Sequence, residues 1–214
     1  MAPSRTTIEA TARRNNYIAY LTESDCLVNL AGRYDYLELP YYVSQDLEAT
    51  GKKVYPSCGE MLDAYITPLF LEKARAAGLK IPEYYITNGY FEPPVVVYPI
   101  NPFMQKFSIV RRAGHRTEMA KSMTRNYTYA VCCEEIPEGA DIRHFRSVLG
   151  WSISARYRDL SMRIWETFRI PLAGIRLLVL KSGEMLLSDL FQLPFESLNQ
   201  RELAWLGERI SWPE

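Results

Sequence analysis

Two adjacent thiols are the first side chains in this sequence whose chemistry could be catalytic. Cys132 and Cys133 stand together and are followed by two glutamates. A cysteine nucleophile needs a nearby base or positive field that lowers its pKa, and His115 or His144 could act as the base. On an extended strand, however, neighbouring side chains point to opposite faces, so one of the two thiols faces the core in any case. We therefore favour structural cysteines and keep a small cysteine-dependent enzyme using Cys132 or Cys133 as the alternative function.

Metal ligands and phosphate-binding loops have no recognisable spacing here. The chain has four cysteines and two histidines, with no CxxC or HxxxH pattern. Neither a GxxxxGK[ST] loop nor a GxGxxG turn occurs. We therefore expect no metal and no cofactor. The few cysteines are expected to be reduced thiols, which favours a cytoplasmic protein.

A cluster of tyrosines offers a different kind of chemistry, namely binding. Tyr34, Tyr36, Tyr41 and Tyr42 lie between a short apolar run and the start of a predicted helix. In open α/β sheets, ligands bind where strands end and the next helices begin. Tyrosine presents an apolar ring and a hydroxyl group, which suits peptides or planar groups. The alternative is that two or three of these rings only fill the space between helix and sheet.

Charge is balanced overall but uneven along the chain. There are 25 basic and 25 acidic residues, which argues against a protein that coats nucleic acid. Residues 105–125 nevertheless hold six basic residues against one acidic, and residues 143–169 hold six against two. Such segments can attract an anionic ligand or an acidic partner, or they can be solvated helix faces. A nucleic-acid adaptor is the third reading, because Phe107, Phe145 and Tyr157 alternate with these basic residues; we expect no nucleic-acid partner.

The elements that would position these residues can be read from the hydrophobic pattern. A strand over 26–30, a helix over 40–51 and a strand over 52–57 make a βαβ unit with parallel strands. A helix over 59–77 follows, which Pro68 should kink or divide. The longest apolar stretch, 170–180, is far too short to cross a membrane, so no membrane association is expected.

The rest of the chain predicts an antiparallel addition. Residues 88–104 are rich in proline and allow at most one edge strand, at 95–98. The other predicted elements are strands at 83–87, 106–113 and 127–136, a helix at 152–168, a hairpin at 175–190 around Ser182-Gly183, and a helix at 198–210. The predicted fold is α/β, a small, mostly parallel three-layer sheet with an antiparallel extension. Residues 1–25 are expected to be an N-terminal tail and 26–214 a single domain, with a proline-rich insertion near 80–127.

Two segments carry a resemblance to a known family. The run NLAGRYDYLELPYYVSQDLEATGKKVYPS (29–57) resembles the signature of the RimK-like ATP-grasp N-terminal domain. The matching positions are Asn29-Leu30, Tyr34, Tyr36, Tyr41 to Ser44, Gly51 to Val54 and Pro56-Ser57. A second, weaker match at 149–179 involves Gly150, Tyr157, Leu160, Phe168, Pro171-Leu172 and Arg176. The sequence departs from the family at Ala31-Gly32, where a Cys-Arg pair is usual, and at Pro40, where glycine is common.

The resemblance implies an accessory role. Family members are usually followed by an ATP-grasp ligase half, which activates a carboxylate as an acyl phosphate and joins it to an amine. Nothing in these 214 residues resembles the nucleotide and magnesium residues of that half. We therefore expect a non-catalytic accessory or substrate-binding domain that works with a separately encoded ATP-grasp carboxylate-amine ligase. Its substrate would be an amino acid or a peptide.

The resemblance also suggests which residues bind. We predict a ligand-facing group at the end of the first strand and the start of the following helix: Asn29, Tyr34, Tyr36, Tyr41, Tyr42 and Ser44. Arg111 and Arg112 are predicted to clamp a carboxylate or phosphate group, because guanidinium groups bind such oxygens in pairs.

Overall fold

The computed structural model describes residues 5–100 and 107–213, and within them the chain is an α/β protein. The helices are α1 (Arg5–Arg14), α2 (Leu39–Ala49), α3 (Cys58–Tyr65), α4 (Thr67–Ala76), α5 (Arg116–Met123), α6 (Arg158–Phe168) and α7 (Gln200–Gly207). The strands are β1 (Ile18–Leu21), β2 (Leu27–Asn29), β3 (Val54–Tyr55), β4 (Tyr84–Thr87), β5 (Val95–Pro99), β6 (Ser108–Val110), β7 (Val131–Glu135), β8 (Asp141–Val148), β9 (Leu172–Val179), β10 (Met185–Gln192) and β11 (Ile210–Ser211). No helix in these ranges has both the length and the apolar character needed to cross a membrane.

The chain divides into two compact units. The first unit comprises Met1–Tyr65, Phe145–Ile175 and Leu190–Glu214, and the second comprises Ile66–His144 and Arg176–Asp189. A three-stranded sheet has the order β10-β9-β8, and the boundaries between the segments of the two units fall within its strands. The predicted hairpin is present as β9 and β10, with Gly183 in the turn at a φ of +86°.

The first unit contains the predicted βαβ arrangement. Strands β2 and β3 run parallel, with Leu27 opposite Val54, and α2 connects them. The sheet is not mostly parallel, however, because β1 pairs antiparallel with both β2 and β11. Only a few residues connect β1 to β2, and a connection this short permits an antiparallel hairpin but no parallel crossover. Helix α1 and strand β1 lie in the segment that we had assigned to a tail.

The first unit has a main apolar core and a smaller one formed by Ile18, Leu27 and Val54. The main core is one cluster of buried side chains. It draws on all three segments of that unit: Ala12, Ala19, Val28, Leu30, Val148, Leu149, Leu172, Leu193, Phe195, Leu198, Leu203, Leu206 and Ile210. The loop after β2 lies against this core. There Gly32 has a φ of +73°, and a Cβ atom added to it would lie 1.9 Å from the carbonyl oxygen of Leu193. Only glycine fits this close approach without displacing the backbone.

The second unit is built on an antiparallel sheet of order β4-β7-β5-β6. Strand β5 is an inner strand, which corrects the edge strand that we predicted from the prolines. Those prolines precede the strand or end it, so the valines between them keep their N–H groups, and Val96 lies between Ile109 and Glu134.

Helices α3 and α4 are separate, with Pro68 in the first turn of α4, as the sequence predicted.

Two element boundaries differ from prediction, and one strand was not predicted. Strand β7 begins at Val131, because residues 125–127 have positive φ values and form a turn. Tyr127 and Tyr129 therefore lie before the strand, and both are exposed. Helix α6 begins at Arg158, several residues after its predicted start. Strand β8 has no predicted counterpart, because its first half is polar and mostly exposed.

Candidate functional site

The predicted residues closest to the end of β2 form a buried hydrogen-bonded group. The Asn29 amide donates to the carbonyl of Pro40 (2.9 Å) and to Ser44 Oγ (3.1 Å), and its Oδ1 accepts from the Ala31 N–H (3.2 Å). The Tyr34 hydroxyl donates to the Asn29 carbonyl at 2.7 Å. Asn29, Tyr34 and Ser44 are all buried, and burial raises the pKa of Tyr34. In this arrangement they fasten the loop to α2 rather than face a ligand.

The other three predicted tyrosines are more accessible. Tyr36 and Tyr41 are half-buried, and Tyr42 is 46% exposed. The rings of Tyr41 and Tyr42 meet edge to face, with centroids 5.5 Å apart. A binding role for these three residues stays a prediction.

A cavity of about 620 Å³ lies in the first unit beside the same loop. Its lining comes from α1, the residue before β1, the loop after β2, the start of α2 and the residues after β10: Arg13, Tyr17, Ala31, Arg33, Glu38, Pro40, Pro194, Glu196 and Ser197. The cavity thus lies where β2 ends and α2 begins, which is the location that the tyrosine cluster predicted. None of the predicted binding residues lines it.

The cavity carries charges of both signs. Arg33 and Glu38 stand five residues apart in the loop, and no described residue forms an ion pair with either side chain. On the other side, the Tyr17 hydroxyl donates to Glu196 Oε1. Burial and the adjacent Glu196 carboxylate raise the pKa of Tyr17. A guanidinium and a carboxylate in one cavity can bind a carboxylate and an ammonium group of the same small molecule.

The sequence pointed to this loop as a binding location, which stays a prediction, and did not single out these residues. Arg33 and Glu38 flank the tyrosines that we singled out, and a pair of opposite charges after a strand is the signal that could have identified them. Arg13 and Tyr17 lie in the segment that we took for a tail. Only the antiparallel pairing of β1 with β2 brings that segment to the end of β2.

Arg111 and Arg112 belong to the second unit. Both follow β6, and both are exposed. Neither forms an ion pair with a carboxylate in the described ranges. Their role as clamps stays a prediction. Lys106, from the same basic segment, lies outside the described residues.

The thiols of β7 do not have the surroundings of a nucleophile. Cys132 and Cys133 are both completely buried. Burial raises the pKa of both thiols, that of Cys133 to about 12, so the reactive thiolate is strongly disfavoured. Burial and the neighbouring Arg176 lower the pKa of His144. The structure therefore favours the structural interpretation of these cysteines over the cysteine-dependent enzyme.

Polar groups, all buried except the half-buried Asp189, also meet at one point of the second unit, which we call the polar centre: Tyr98, Glu134, Arg176, Ser188 and Asp189. Arg176, on β9, is only 4% exposed. Its Nη1 donates to Asp189 Oδ2 at 2.7 Å and to the Tyr98 hydroxyl at 3.0 Å. Its guanidinium carbon lies 3.6 Å from the centroid of the Phe107 ring.

Hydroxyl groups extend this network to a buried carboxyl. The Tyr98 and Ser188 oxygens are 2.8 Å apart, and Ser188 donates to Glu134 Oε2. Glu134 Oε1 is buried and has no hydrogen-bond partner among the residues that the structure describes. Burial raises the pKa of Glu134 well above its ordinary value. The polar centre therefore holds a permanently charged guanidinium and two acidic groups. Asp189 is paired with the guanidinium, whereas the pKa of Glu134 is raised by burial.

The comparisons with known proteins agree with this architecture. The family model described as the RimK-like ATPgrasp N-terminal domain matches residues 15–208. The chain belongs to this family. No curated protein matches the sequence of this RimK-like domain.

Solved structures with a similar fold include ATP-grasp proteins of low sequence identity. A RimK domain ATP-grasp protein from Sphaerobacter thermophilus is 15% identical, with a TM-score of 0.55, over 78% of this chain and 71% of that one. The D-alanine-D-alanine ligase of Helicobacter pylori is 14% identical (TM-score 0.57; 77% and 66%). The Bacillus anthracis D-alanine–D-alanine ligase complexed with ATP is 15% identical (TM-score 0.56; 78% and 68%). This chain therefore has the fold of ATP-grasp ligases.

Magnesium does not fit the side chains that the structure describes in this RimK-like domain. Mg²⁺ needs oxygen ligands in octahedral geometry, usually including carboxylates. Within the described ranges, no group of three or more His, Cys, Asp or Glu side chains is placed to hold a metal ion. In the polar centre, the Asp189 carboxylate is paired with the Arg176 guanidinium instead.

Proposed function

We propose that this RimK-like domain is a non-catalytic substrate-holding component of an ATP-dependent ligation, working with a separately encoded ATP-grasp carboxylate-amine ligase. The observation that carries the proposal is the cavity of the first unit, which presents an arginine and a glutamate where β2 ends and α2 begins. The family and the ligase fold of its structural relatives support the reaction class.

The ligand class follows from the charges of the cavity. Arg33 would bind a carboxylate through two N–H groups, and Glu38 would accept hydrogen bonds from an ammonium group. A free amino acid or a short peptide carries both groups. Arg33 and Glu38 are attached to one loop, so the separation of their charges is limited. Amino acids and peptides whose carboxylate and ammonium groups are separated by a matching distance should bind best.

The contribution of this domain would be positioning rather than bond chemistry. The Asn29 network and the contact between Gly32 and Leu193 hold the loop in one conformation before a ligand arrives. The partner ligase would transfer the γ-phosphoryl group of ATP to a carboxylate, and the held amine would then displace phosphate. Fixing a reactant in this way removes part of the entropic cost of the reaction. We place this reaction in the cytoplasm, because all four cysteines are free thiols.

The experiment uses the ATP-grasp protein encoded nearest to this gene. ADP release is measured with mixtures of amino acids and dipeptides for the ligase alone, for this domain alone and for both together. We expect substantial ADP release only when both proteins are present. ATP hydrolysis by this domain alone, at the rate of an enzyme, would contradict the proposal.

A matched pair of variants tests the cavity itself. Arg33→Ala should weaken amino-acid or dipeptide binding about tenfold, because it removes a charge-assisted hydrogen-bonding group. Arg14→Ala removes an exposed arginine that does not line the cavity, so its binding should equal that of the wild type. Calorimetry measures both. Equal affinities in the two variants would show that the cavity is not the binding site.

A further inference from the structure

The polar centre of the second unit has the oxygen groups of a cation site, but a side chain supplies the cation. Asp189 and Glu134 contribute carboxyl groups, and Tyr98 and Ser188 contribute hydroxyl groups. Oxygen groups of these kinds are the ligands preferred by Mg²⁺ and Mn²⁺. We infer that the Arg176 guanidinium is a built-in replacement for a divalent cation, so that the second unit binds no such ion at its polar centre.

The direction of the hydrogen bonds supports this assignment. Arg176 Nη1 donates to the Tyr98 hydroxyl oxygen and to the Asp189 carboxylate, and the Tyr98 oxygen lies 2.8 Å from Ser188 Oγ. The Tyr98 and Asp189 oxygens therefore both face the guanidinium, as ligand oxygens face a metal ion. The positive charge organises the oxygens in the way that a bound cation does.

The packing of Arg176 explains why this cation does not exchange. Its guanidinium stacks on Phe107 and is bonded to Asp189, and His144 Nε2 accepts from its Nε at 3.3 Å. Guanidinium is planar, weakly hydrated and always charged, which suits a buried site with an aromatic face. A divalent ion entering this centre would have to displace a charge that is covalently part of the chain.

Removing the guanidinium should therefore expose a metal site. In Arg176→Ala, the Asp189 carboxylate and the Tyr98 hydroxyl would lose the guanidinium that donates to them, and Ser188 connects Tyr98 to the Glu134 carboxyl group. We expect this variant to bind one Mn²⁺ per chain, measured by electron paramagnetic resonance of the free ion, with a Kd on the order of 10⁻⁴ M. The wild type should show no binding at that concentration. Adding Asp189→Asn to Arg176→Ala should abolish the new site.

Two further measurements keep the inference testable. Arg176→Lys keeps a positive charge and should bind no Mn²⁺, which separates loss of charge from loss of shape. Methylguanidinium added to Arg176→Ala should raise its melting temperature and compete with Mn²⁺, and if the variant is unfolded, either cation should restore its circular dichroism.

Several outcomes would overturn the inference. Binding of Mn²⁺ to the wild type that Asp189→Asn abolishes would show that the centre is a metal site despite Arg176. A folded Arg176→Ala variant that binds no Mn²⁺, or an unfolded one that neither cation restores, would show that the oxygens do not form a cation site. These experiments involve neither the cavity nor a ligase, so they are independent of the proposed function.

Discussion

Gly32 shows how a single backbone atom constrains the cavity loop. In Gly32→Ala the new Cβ would meet the Leu193 carbonyl while the residue also has a left-handed φ. Gly51 has a similar φ of +76° but no atom within 4 Å of an added Cβ. We expect Gly32→Ala to lower the free energy of unfolding by about 3 kcal/mol and Gly51→Ala by about 1 kcal/mol, measured by urea denaturation. Equal losses would mean that the loop can move away from Leu193.

Glu134 should make stability depend on pH. Burial raises its folded-state pKa, so the folded state holds a proton that the unfolded state releases. Stability contributed by that proton is present at low pH and is lost as pH rises above the unfolded pKa. His144 has a lowered pKa, so its effect is confined to pH values below about 6.5. Burial also raises the pKa of Asp35, so a variant of Glu134 is needed to assign the loss of stability between pH 6.5 and 8.

The corresponding variant is Glu134→Gln, which cannot ionise. Urea denaturation of the wild type should show a free energy of unfolding that falls from pH 6.5 to 8, and the variant should show a smaller fall. Glu135→Gln changes the exposed neighbour on the same strand and should keep the wild-type slope. A wild type whose stability is constant over this interval would disprove the explanation.

At the scale of elements, helix α7 depends on an arginine from β8. Glu202 in the first turn is 2% exposed and accepts from the Asn199 N–H, completing a capping box. Arg146 lies 3.0 Å from the same carboxylate and also donates to the Ser197 carbonyl. Arg146→Ala would leave a buried carboxylate without its cation and should cost about 2 kcal/mol of stability.

Arg143 provides the control on the same strand. Its ion pair with Asp141 is well exposed on both sides, so Arg143→Ala should cost less than about 0.5 kcal/mol. Thermal and urea denaturation of both variants measure the difference. If Arg146→Ala were as mild as Arg143→Ala, the arginine would not be needed at the start of α7.

Elements with local signals were the predictable part of this fold. The βαβ arrangement, the break at Pro68 and the β9–β10 hairpin each depend on residues close together in the sequence, and all three are present. Strand β8 was missed because its exposed polar half does not alternate. Strand β5 was misplaced at an edge because prolines restrict only the positions they occupy. The loop of the candidate site was predictable, whereas its partners from α1 depend on strand pairing between distant segments.

At the scale of the whole molecule, the main core of the first unit is assembled from segments that are far apart in the sequence. The main cluster of the first unit takes Val148 and Leu172 from its second segment and Phe195 and Leu206 from its third. A fragment of residues 1–65 lacks these side chains and should remain unfolded, because small cores lose most of their buried area when segments are removed. Circular dichroism and the dispersion of amide signals in NMR spectra test this expectation. Cooperative thermal unfolding of the fragment would contradict it.

Arg176 also determines how many positive charges the polar centre holds per chain. A cation that is bound from solution has an occupancy set by its concentration, and a chelator can remove it. The guanidinium on β9 is made with the polypeptide, so every folded chain carries one positive charge at its polar centre, whatever the ionic composition of its surroundings. Only a substitution of Arg176 can remove this charge.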